Sequence, residues 1–161
     1  MWVYIPRAVW RPGGRAALRR IQSSVRKGAA RWYVISERSS GAFVGEIAAF
    51  SIDWVERTAE LGYHIARWQW GNGYALEAAS RVCQFAFRRL RLRRLEAVVG
   101  QGNEASVAIL RRLGFRREGS ARKAAWLNGR WRDQLRFGLL ASEFRAGPGR
   151  GGRRTRRAEL R

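Results

Sequence analysis

In WQWGNGYALEAA, from Trp68 to Ala79, two glycines with a single residue between them separate a strand-like stretch from a helical stretch. The preceding stretch, TAELGYHIA at 58–66, is typical of a β-strand. The following stretch, 73–90, has an apolar stripe at spacings of three and four and predicts the strongest helix in the chain. Glycine is costly inside a helix, so Gly71 and Gly73 predict a tight turn where bare backbone is needed. A strand that enters a helix through such a turn favours an α/β fold.

A glycine turn at a helix N-terminus is also a recurring anion site. Its backbone N–H groups approach a ligand closely, and the helix dipole adds partial positive charge, so a phosphate is the natural guest. The alternative is an ordinary tight turn. The stretch is not a Walker loop, because no GK[ST] follows, and it lacks the third glycine of a dinucleotide fingerprint, where Leu76 stands.

The rest of the chain alternates helical and strand patterns. Together with the turn signals, these patterns predict one α/β domain with a mixed sheet, in the order α-β-β-β-α-β-α-β-β. The predicted elements are helices at 16–27 and from the N-cap Asn103 to the C-cap Gly114, strands at 31–36, 42–52 and 94–99, and a hairpin of 115–127 with 131–140. Cys83, the only cysteine, lies on the apolar stripe of the main helix and is predicted to be core.

Composition limits the setting. The single cysteine excludes a disulfide framework, which favours a reducing cytoplasm, and no apolar run is long enough to span a bilayer, so no membrane association is expected. The net charge is +21, and only two of the basic residues are lysine. Such a field attracts nucleic acid or ribosomes, although arginine accumulation through codon bias explains it equally well. The Arg cluster at 88–94 is read as a complement to the helix dipole.

The end of the chain differs from the rest. From Arg145 it reads RAGPGRGGRRTRRAELR, with seven Arg, one Glu and almost nothing to bury. We therefore expect a domain at 1–145 and a disordered basic tail at 146–161.

Three stretches carry a family resemblance. LGYHIARWQWGNGYALEAA resembles the acetyl-CoA motif of GNAT-superfamily N-acetyltransferases, and GNEASVAILRRLGF resembles their conserved pattern near the end of the domain. NGRWRDQLRFGLLASEF resembles the C-terminal hairpin of the RimJ/RimL-type ribosomal-protein N-acetyltransferases. The three keep the family's order and spacing, and the resemblance covers about residues 14–145. It implies the GNAT fold, a mixed, mostly antiparallel central sheet flanked by helices, and acetyl-CoA as co-substrate.

The resemblance also implies a cofactor site. The family's phosphate loop falls on 70–75, with Trp70 where the family has Gln or Arg, and strands 58–66 and 94–100 would separate to admit the pantetheine arm. The residues implied in cofactor binding are His64, Ile65, Ala66, Trp70, Gly71, Asn72, Gly73, Tyr74, Ala75, Asn103 and Ser106.

Acetyl transfer from a thioester to an amine needs a base for the ammonium proton and a donor for the leaving thiolate. The tyrosine that many members use as donor is replaced by Leu110, so Ser106 is the candidate acid, against the alternative of an ordinary first-turn serine. Glu60 is the candidate base by its resemblance to a strand glutamate of other members; its alternative is a surface ion pair. Glu46 is the second candidate. His64, the only histidine, is left outside the catalytic set.

The expected function is acetylation of a primary amine in a ternary complex, foremost a protein N-terminal α-amine such as that of a ribosomal protein. The alternatives are a small-molecule amine, an antibiotic or a polyamine, and a catalytically inactive basic protein that binds RNA or the ribosome. Four tryptophans are candidates for an acceptor groove, with core or rim packing preferred for most of them: Trp54, Trp68, Trp70 and Trp126.

The chain begins later than the family's usual first strand and helix. An N-terminally abbreviated fold would leave the strand at 31–37 with an open edge, a feature that favours association. A misassigned start, a partner chain such as that of a homodimer, and a decayed gene all fit this expectation.

Overall fold

The structure, a computed structural model, describes residues 14–127, 129–145 and 158–160. It contains the nine predicted helices and strands in the predicted order, followed by one further strand. The elements are α1 Gly14–Arg26, β1 Ala30–Glu37, β2 Phe43–Asp53, β3 Thr58–Ile65, a 3-10 turn Arg67–Gln69, α2 Tyr74–Arg88, β4 Arg94–Gly100, α3 Glu104–Leu113, β5 Arg116–Leu127, β6 Arg130–Leu140 and β7 Ala158–Leu160.

The strands form one mixed sheet in the order β5-β6-β4-β3-β2-β1-β7. Only β3 and β4 are parallel neighbours, and the other adjacent pairs are antiparallel. The helix α2 makes the crossover that a parallel pair requires. This arrangement confirms the predicted α/β sheet and its largely antiparallel character.

The core lies between one face of the sheet and the helices α2 and α3. The apolar stripe of α2 is buried, and Cys83 on it is fully inaccessible, as predicted for a core residue. Sheet residues on the facing side include Ile47, Leu61, Leu95 and Phe137, each almost completely buried. Burial of this continuous apolar surface is the main stabilising contribution to the domain.

Both ends of α3 follow the predicted capping chemistry. The side-chain carbonyl oxygen of Asn103 accepts a hydrogen bond from the Ser106 N–H at 3.2 Å. At the other end Gly114 adopts φ 96°, the left-handed conformation that glycine tolerates best, and its N–H closes the last turn. These caps fix the position of α3 relative to the end of β4.

The strands β3 and β4 separate after a short paired segment. Three residue pairs join them, ending with Glu60 opposite Glu96. Beyond that step β3 stays paired with β2 as far as Ile65 opposite Gly45, and β4 stays paired with β6 as far as Gly100 opposite Gln134. Because each strand is held by its outer neighbour, a gap opens in the middle of the sheet, as the family resemblance implies.

The end of the chain requires a correction. The residues 158–160, placed in the predicted disordered tail, form β7 and pair antiparallel with β1 at residues 35–37. The edge of β1, predicted to be open, is therefore covered over these three residues. The backbone N–H and C=O groups of an edge strand attract any segment that can pair with them, and a tail with few apolar side chains still has such a backbone. Residues 1–13, 146–157 and 161, which include the region of the predicted N-terminal abbreviation, lie outside the described residues.

No helix in the described ranges is both long and apolar enough to cross a membrane.

Candidate acetyl-CoA site

The predicted phosphate loop joins the end of β3 to α2. Gly71 and Gly73 have φ values of 81° and 80°, which explains glycine at both positions. A Cβ on either would meet no atom within 4 Å, so open space lies before the loop. Gly73 is the N-cap of α2 and offers no side-chain hydrogen bond, so the first-turn N–H groups of the helix remain available to a ligand. The geometry suits an anion.

Local hydrogen bonds hold this loop to the strand before it. The indole N–H of Trp70 donates to the carbonyl oxygen of Ile65 at 2.9 Å, and the Asn72 amide donates to the carbonyl of Gln69 at 3.2 Å. Trp70, which departs from the family's Gln or Arg, thus fixes the loop through its side chain. It leaves the backbone amides of 71–75 in place.

At the end of β3, the backbone hydrogen-bonding groups point alternately toward β2 and toward the gap. The N–H of Ala66 donates to Val44 at 2.9 Å, and its carbonyl accepts from Gln69. Since hydrogen-bonded pairs alternate along an antiparallel ladder, His64 also bonds to β2, whereas the N–H of Ile65 faces the gap. Of the three predicted pantetheine contacts, Ile65 has the orientation that the role requires, and the same alternation adds the backbone of Tyr63.

Two buried hydroxyl groups lie at the inner end of the gap. Ser106, in the first turn of α3, has 0% of its surface exposed, and Tyr63 of β3 is almost as buried. Burial raises the pKa of Tyr63 to about 12, and the nearby Ser106 hydroxyl opposes that rise. The Tyr63 hydroxyl nevertheless makes no well-formed hydrogen bond to a described residue. The two hydroxyl groups therefore lie close together on the core face of β3.

The candidate base lies on the opposite face of the sheet. Ala59 and Leu61 point into the core, so the side chain of Glu60 points away from α2 and α3. Burial, reinforced by the nearby carboxylate of Glu96 and opposed by Arg136, raises the pKa of Glu60 to about 7. A carboxyl group with this pKa is close to half ionised at neutral pH, which suits a general base.

The two predicted catalytic residues therefore do not meet. Glu60 and Ser106 flank the gap from opposite faces of the sheet. This separation is compatible with a thioester lying in the gap, its carbonyl carbon approached from the Glu60 side and its sulfur lying toward Ser106. Proton removal and proton donation would then occur at different ends of the reacting group.

Further carboxylates accompany Glu60 on its face. Glu46 on β2 lies opposite His64, and Glu96 on β4 lies opposite Glu60, so three acidic side chains occupy three adjacent strands. The indole N–H of Trp32 donates to Glu46 at 3.2 Å. We call Glu46, Glu60 and Glu96 the carboxylate row. Arginines lie against this row, since Arg94 pairs with Glu96 at 3.0 Å and Arg136 lies close to Glu60.

The remaining predicted positions are placed as follows. Leu110, at the position of the family's tyrosine, is buried in the core. Trp54, Trp70 and Trp126 are about half exposed, and Trp68 is 76% exposed. These tryptophans belong to the rim and not to the core; Trp126 packs edge-to-face on Trp131 at the tip of the β5–β6 hairpin.

A separate basic cleft lies at the far end of α3. It has a volume of about 490 Å³. Four arginines line it together with Gly114, Ser142 and Glu143: Arg111, Arg112, Arg116 and Arg145. Arg116 pairs with Glu143 at 3.1 Å, and the other three arginines make no ion pair with a side chain in the described ranges.

Sequence reasoning missed Tyr63 and the buried partner of Tyr74. The alternation along β3 placed Tyr63 next to His64, but it gave no sign that α3 would bring Ser106 against it. Tyr74 was assigned for its backbone, whereas its side chain bonds to Glu37, 37 residues earlier in the chain. No local pattern reports a contact over that separation.

Comparison with known proteins agrees with this geometry. YdaF of Bacillus subtilis, a proposed ribosomal N-acetyltransferase, is 36% identical over 104 residues, which are 65% of this chain and 57% of YdaF. Spermidine N(1)-acetyltransferase of Escherichia coli is 30% identical over 106 residues, 66% of this chain and 57% of that protein. The chain thus spans less than two thirds of the length of either relative.

Solved structures share the architecture. A mutant of the spermidine N-acetyltransferase SpeG from Vibrio cholerae superposes with a TM-score of 0.71 at 26% identity, covering 77% of this chain and 73% of that one. A Vibrio cholerae spermidine N-acetyltransferase in complex with CoA and spermine has a TM-score of 0.76 at 23% identity, with 83% and 78% covered, and shows the shared fold.

GNAT acetyltransferases use acetyl-CoA, and the glycine loop and the gap fit that co-substrate. The acetyltransferase (GNAT) domain family matches residues 2–116 of the sequence, 115 of the 161 residues. The chain belongs to the GNAT acetyltransferase family.

Proposed function

We propose that the protein is an acetyl-CoA-dependent N-acetyltransferase of the RimJ/RimL type that acetylates a primary amine, foremost a protein N-terminal α-amine such as that of a ribosomal protein. The observation that carries this proposal is the gap between β3 and β4, with the open N-terminus of α2 at its mouth. A thioester and a chain of phosphates need such a combination of unpaired strand backbone and helix N–H groups.

The loop would hold the phosphates of the co-substrate. Backbone amides at 71–75 donate to the pyrophosphate, and the helix dipole of α2 favours its charge. The N–H of Ile65 and the backbone of Tyr63 pair with the pantetheine amides in the gap. Asn103 keeps the first turn of α3, and with it Ser106, against the end of that arm.

Residues on both faces would then perform the transfer. Glu60 accepts the proton of the acceptor ammonium, directly or through water, and the amine nitrogen attacks the acetyl carbon as the carbon–sulfur bond breaks. Ser106 donates a hydrogen bond to the departing sulfur, and the second proton of the new amide nitrogen passes to that sulfur, so CoA leaves as the free thiol. No covalent enzyme intermediate is involved, and placing both reactants in one cleft supplies much of the acceleration.

The acceptor is the finer part of the proposal. Similarity to YdaF favours a protein N-terminus, and the exposed Trp68, in the 3-10 turn after β3, is suited to contact an extended peptide.

A specific observation favours a second acceptor. The carboxylate row lies on the face from which the amine approaches, and similarity to spermidine acetyltransferases supports a polyamine. A spermidine chain carries several positive charges, which Glu46 and Glu60 would attract, whereas Glu96 is already paired with Arg94 at 3.0 Å.

Contact with RNA or the ribosome is a further element. The basic cleft of Arg111, Arg112, Arg116 and Arg145 offers guanidinium groups to backbone phosphates. A chain that used only this surface would be the catalytically inactive alternative.

Calorimetry with the purified 161-residue chain tests the proposal. Acetyl-CoA should bind with a micromolar dissociation constant at moderate and at high salt, while ATP, a polyanion without pantetheine, should bind far more weakly at high salt. If salt weakens the binding of acetyl-CoA and of ATP equally, the binding is general charge attraction, and the proposal of an acetyltransferase is rejected. Turnover with N-terminal peptides and with spermidine, followed by release of free CoA thiol, then separates the two acceptors.

A further inference from the structure

A buried carboxylate stands at the end of β1. Glu37 is 8% exposed, although an ionised side chain is costly to bury without partners. Its two oxygens accept hydrogen bonds from hydroxyl groups, Tyr74 at 3.0 Å and Ser40 at 2.6 Å. The second bond is local, within the β1–β2 turn. The first connects elements far apart in the sequence.

Tyr74 is the first residue of α2 and directly follows Gly73 of the phosphate loop. Its side chain is 2% exposed and reaches from the loop into the core to meet Glu37. The other side-chain hydrogen bonds of the loop are local: Trp70 donates to a residue five positions earlier, and Asn72 donates to a residue three positions earlier. The Tyr74–Glu37 bond therefore connects the loop to a strand that is not its neighbour in the chain.

The strand β7 pairs at the same place. Ala158 lies opposite Glu37, and Leu160 lies opposite Ile35. The backbone of β7 also comes close to α2. One short segment from the end of the chain thus lies beside both elements that the Tyr74–Glu37 bond joins.

We propose that Glu37 and Tyr74 position the phosphate loop, and that docking of β7 on β1 stabilises this position, so that the end of the chain controls affinity for the phosphates of CoA. The inference rests on the proposed function for its ligand. The claim that these contacts order the loop concerns the ligand-free protein and does not depend on the ligand.

The physical reason is the freedom of the loop itself. Gly71 and Gly73 lie in left-handed conformations with open space around them, so packing at these two residues restricts them little. An anchor at Tyr74 fixes the helix end whose N–H groups face the ligand. Strand pairing at 35–37 restrains the carboxylate that holds this anchor. Loss of either partner should raise the cost of ordering the loop when a ligand binds.

Three variants test the inference. Tyr74→Phe removes the hydroxyl and keeps the ring, and a chain ending at residue 157 removes β7. Ser40→Ala, the matched control, removes the local hydrogen bond to Glu37. Hydrogen–deuterium exchange of the loop amides at 70–76 is measured without ligand, and acetyl-CoA affinity is measured by calorimetry. Circular dichroism confirms that each variant is folded.

Tyr74→Phe and the shortened chain should each exchange faster in the loop and bind acetyl-CoA about five- to tenfold more weakly, the loss of one buried hydrogen bond. Ser40→Ala should change affinity by less than about twofold, because the Tyr74 bond remains. If β7 acts through this bond, combining the deletion with Tyr74→Phe should cost little more than either alone.

Loop exchange that is unchanged in Tyr74→Phe would overturn the role of the bond, and fully additive effects would overturn the role of β7. The proposed function fails separately. If the unaltered chain binds no acetyl-CoA while Tyr74→Phe still accelerates loop exchange, the positioning role stands and the ligand assignment is wrong.

Discussion

Glu60 and Glu96 lie opposite each other at the last paired step of β3 and β4, where the sheet begins to open. Burial is the larger reason that the pKa of Glu60 rises to about 7, and the negative charge of Glu96 is the second. The same step thus marks both the start of the gap and the position of the proposed proton acceptor.

The proposed base gives the reaction a defined pH dependence. Only ionised Glu60 accepts a proton, so kcat/KM should rise with pH and level off above about 7. Glu60→Gln should lower kcat about 100-fold or more and remove this inflection, with acetyl-CoA affinity nearly unchanged. A Glu60→Gln enzyme that kept the inflection would place the base elsewhere, with Glu46 next in order.

Neighbouring charges should move that inflection in opposite directions. Glu96→Gln removes a negative neighbour, so the pKa of Glu60 falls and the profile shifts to lower pH. Arg136→Gln removes a positive neighbour and shifts the profile to higher pH. Measuring kcat/KM against pH for both variants provides a matched pair. Shifts in the same direction would contradict the electrostatic account.

The raised pKa also predicts how stability depends on pH. Glu60 binds its proton more tightly in the folded state than in the unfolded state, so its contribution is fully present below the unfolded pKa, about 4.5, and is lost as pH rises through about 7. The free energy of unfolding of Glu60→Gln, relative to that of the unaltered chain, should therefore be higher at pH 8 than at pH 4. Urea unfolding at both values, compared between the two proteins, measures the difference. An equal gap at both would show that the group titrates normally when folded.

The phosphate loop can be tested at one glycine. A β-branched residue cannot readily adopt φ 80°, so Gly73→Val should distort the start of α2, obstruct its N–H groups and abolish acetyl-CoA binding in calorimetry. Gly129, at φ 76° in the β5–β6 turn and equally free of neighbours within 4 Å, provides Gly129→Val as the control for general strain. Comparable binding by both variants would reject the loop assignment.

Gly45 tests whether the end of β3 is held by β2. A Cβ at this position would collide with the carbonyl oxygen of His64, and backbone cannot move aside as a flexible side chain can. Gly45→Ala should lower the free energy of unfolding by about 1–3 kcal/mol and weaken acetyl-CoA binding. Gly119→Ala, with no neighbour within 4 Å, should leave both nearly unchanged. Equal effects of the two would mean that the contact does not constrain the strand.

Sequence patterns predicted the elements well because their signals are local. The stripe on α2, the Asn103 and Gly114 caps and the glycine turn depend on residues a few positions apart, and the structure has all of them. β7 could not be foreseen, since pairing with an exposed edge depends on backbone groups that every sequence provides.

The site was predictable only in part, for a related reason. The family motif indicated Ser106 and Glu60, but not that they face opposite sides of the sheet. Strand parity separates Glu60 from Tyr63, and the packing of α3 brings Ser106 to Tyr63. The shifted pKa of Glu60 likewise depends on Glu96, which is 36 positions away in the sequence and adjacent only in the sheet.

The gap between β3 and β4 presents main-chain atoms, and so does the turn that leads into α2. Peptide groups are the same whatever side chains they carry, so a recognition surface made from them is insulated from changes in amino-acid usage. A chain can then accumulate arginine over most of its exterior and place a tryptophan at the first position of its loop, while the surface offered to the co-substrate keeps its shape and polarity.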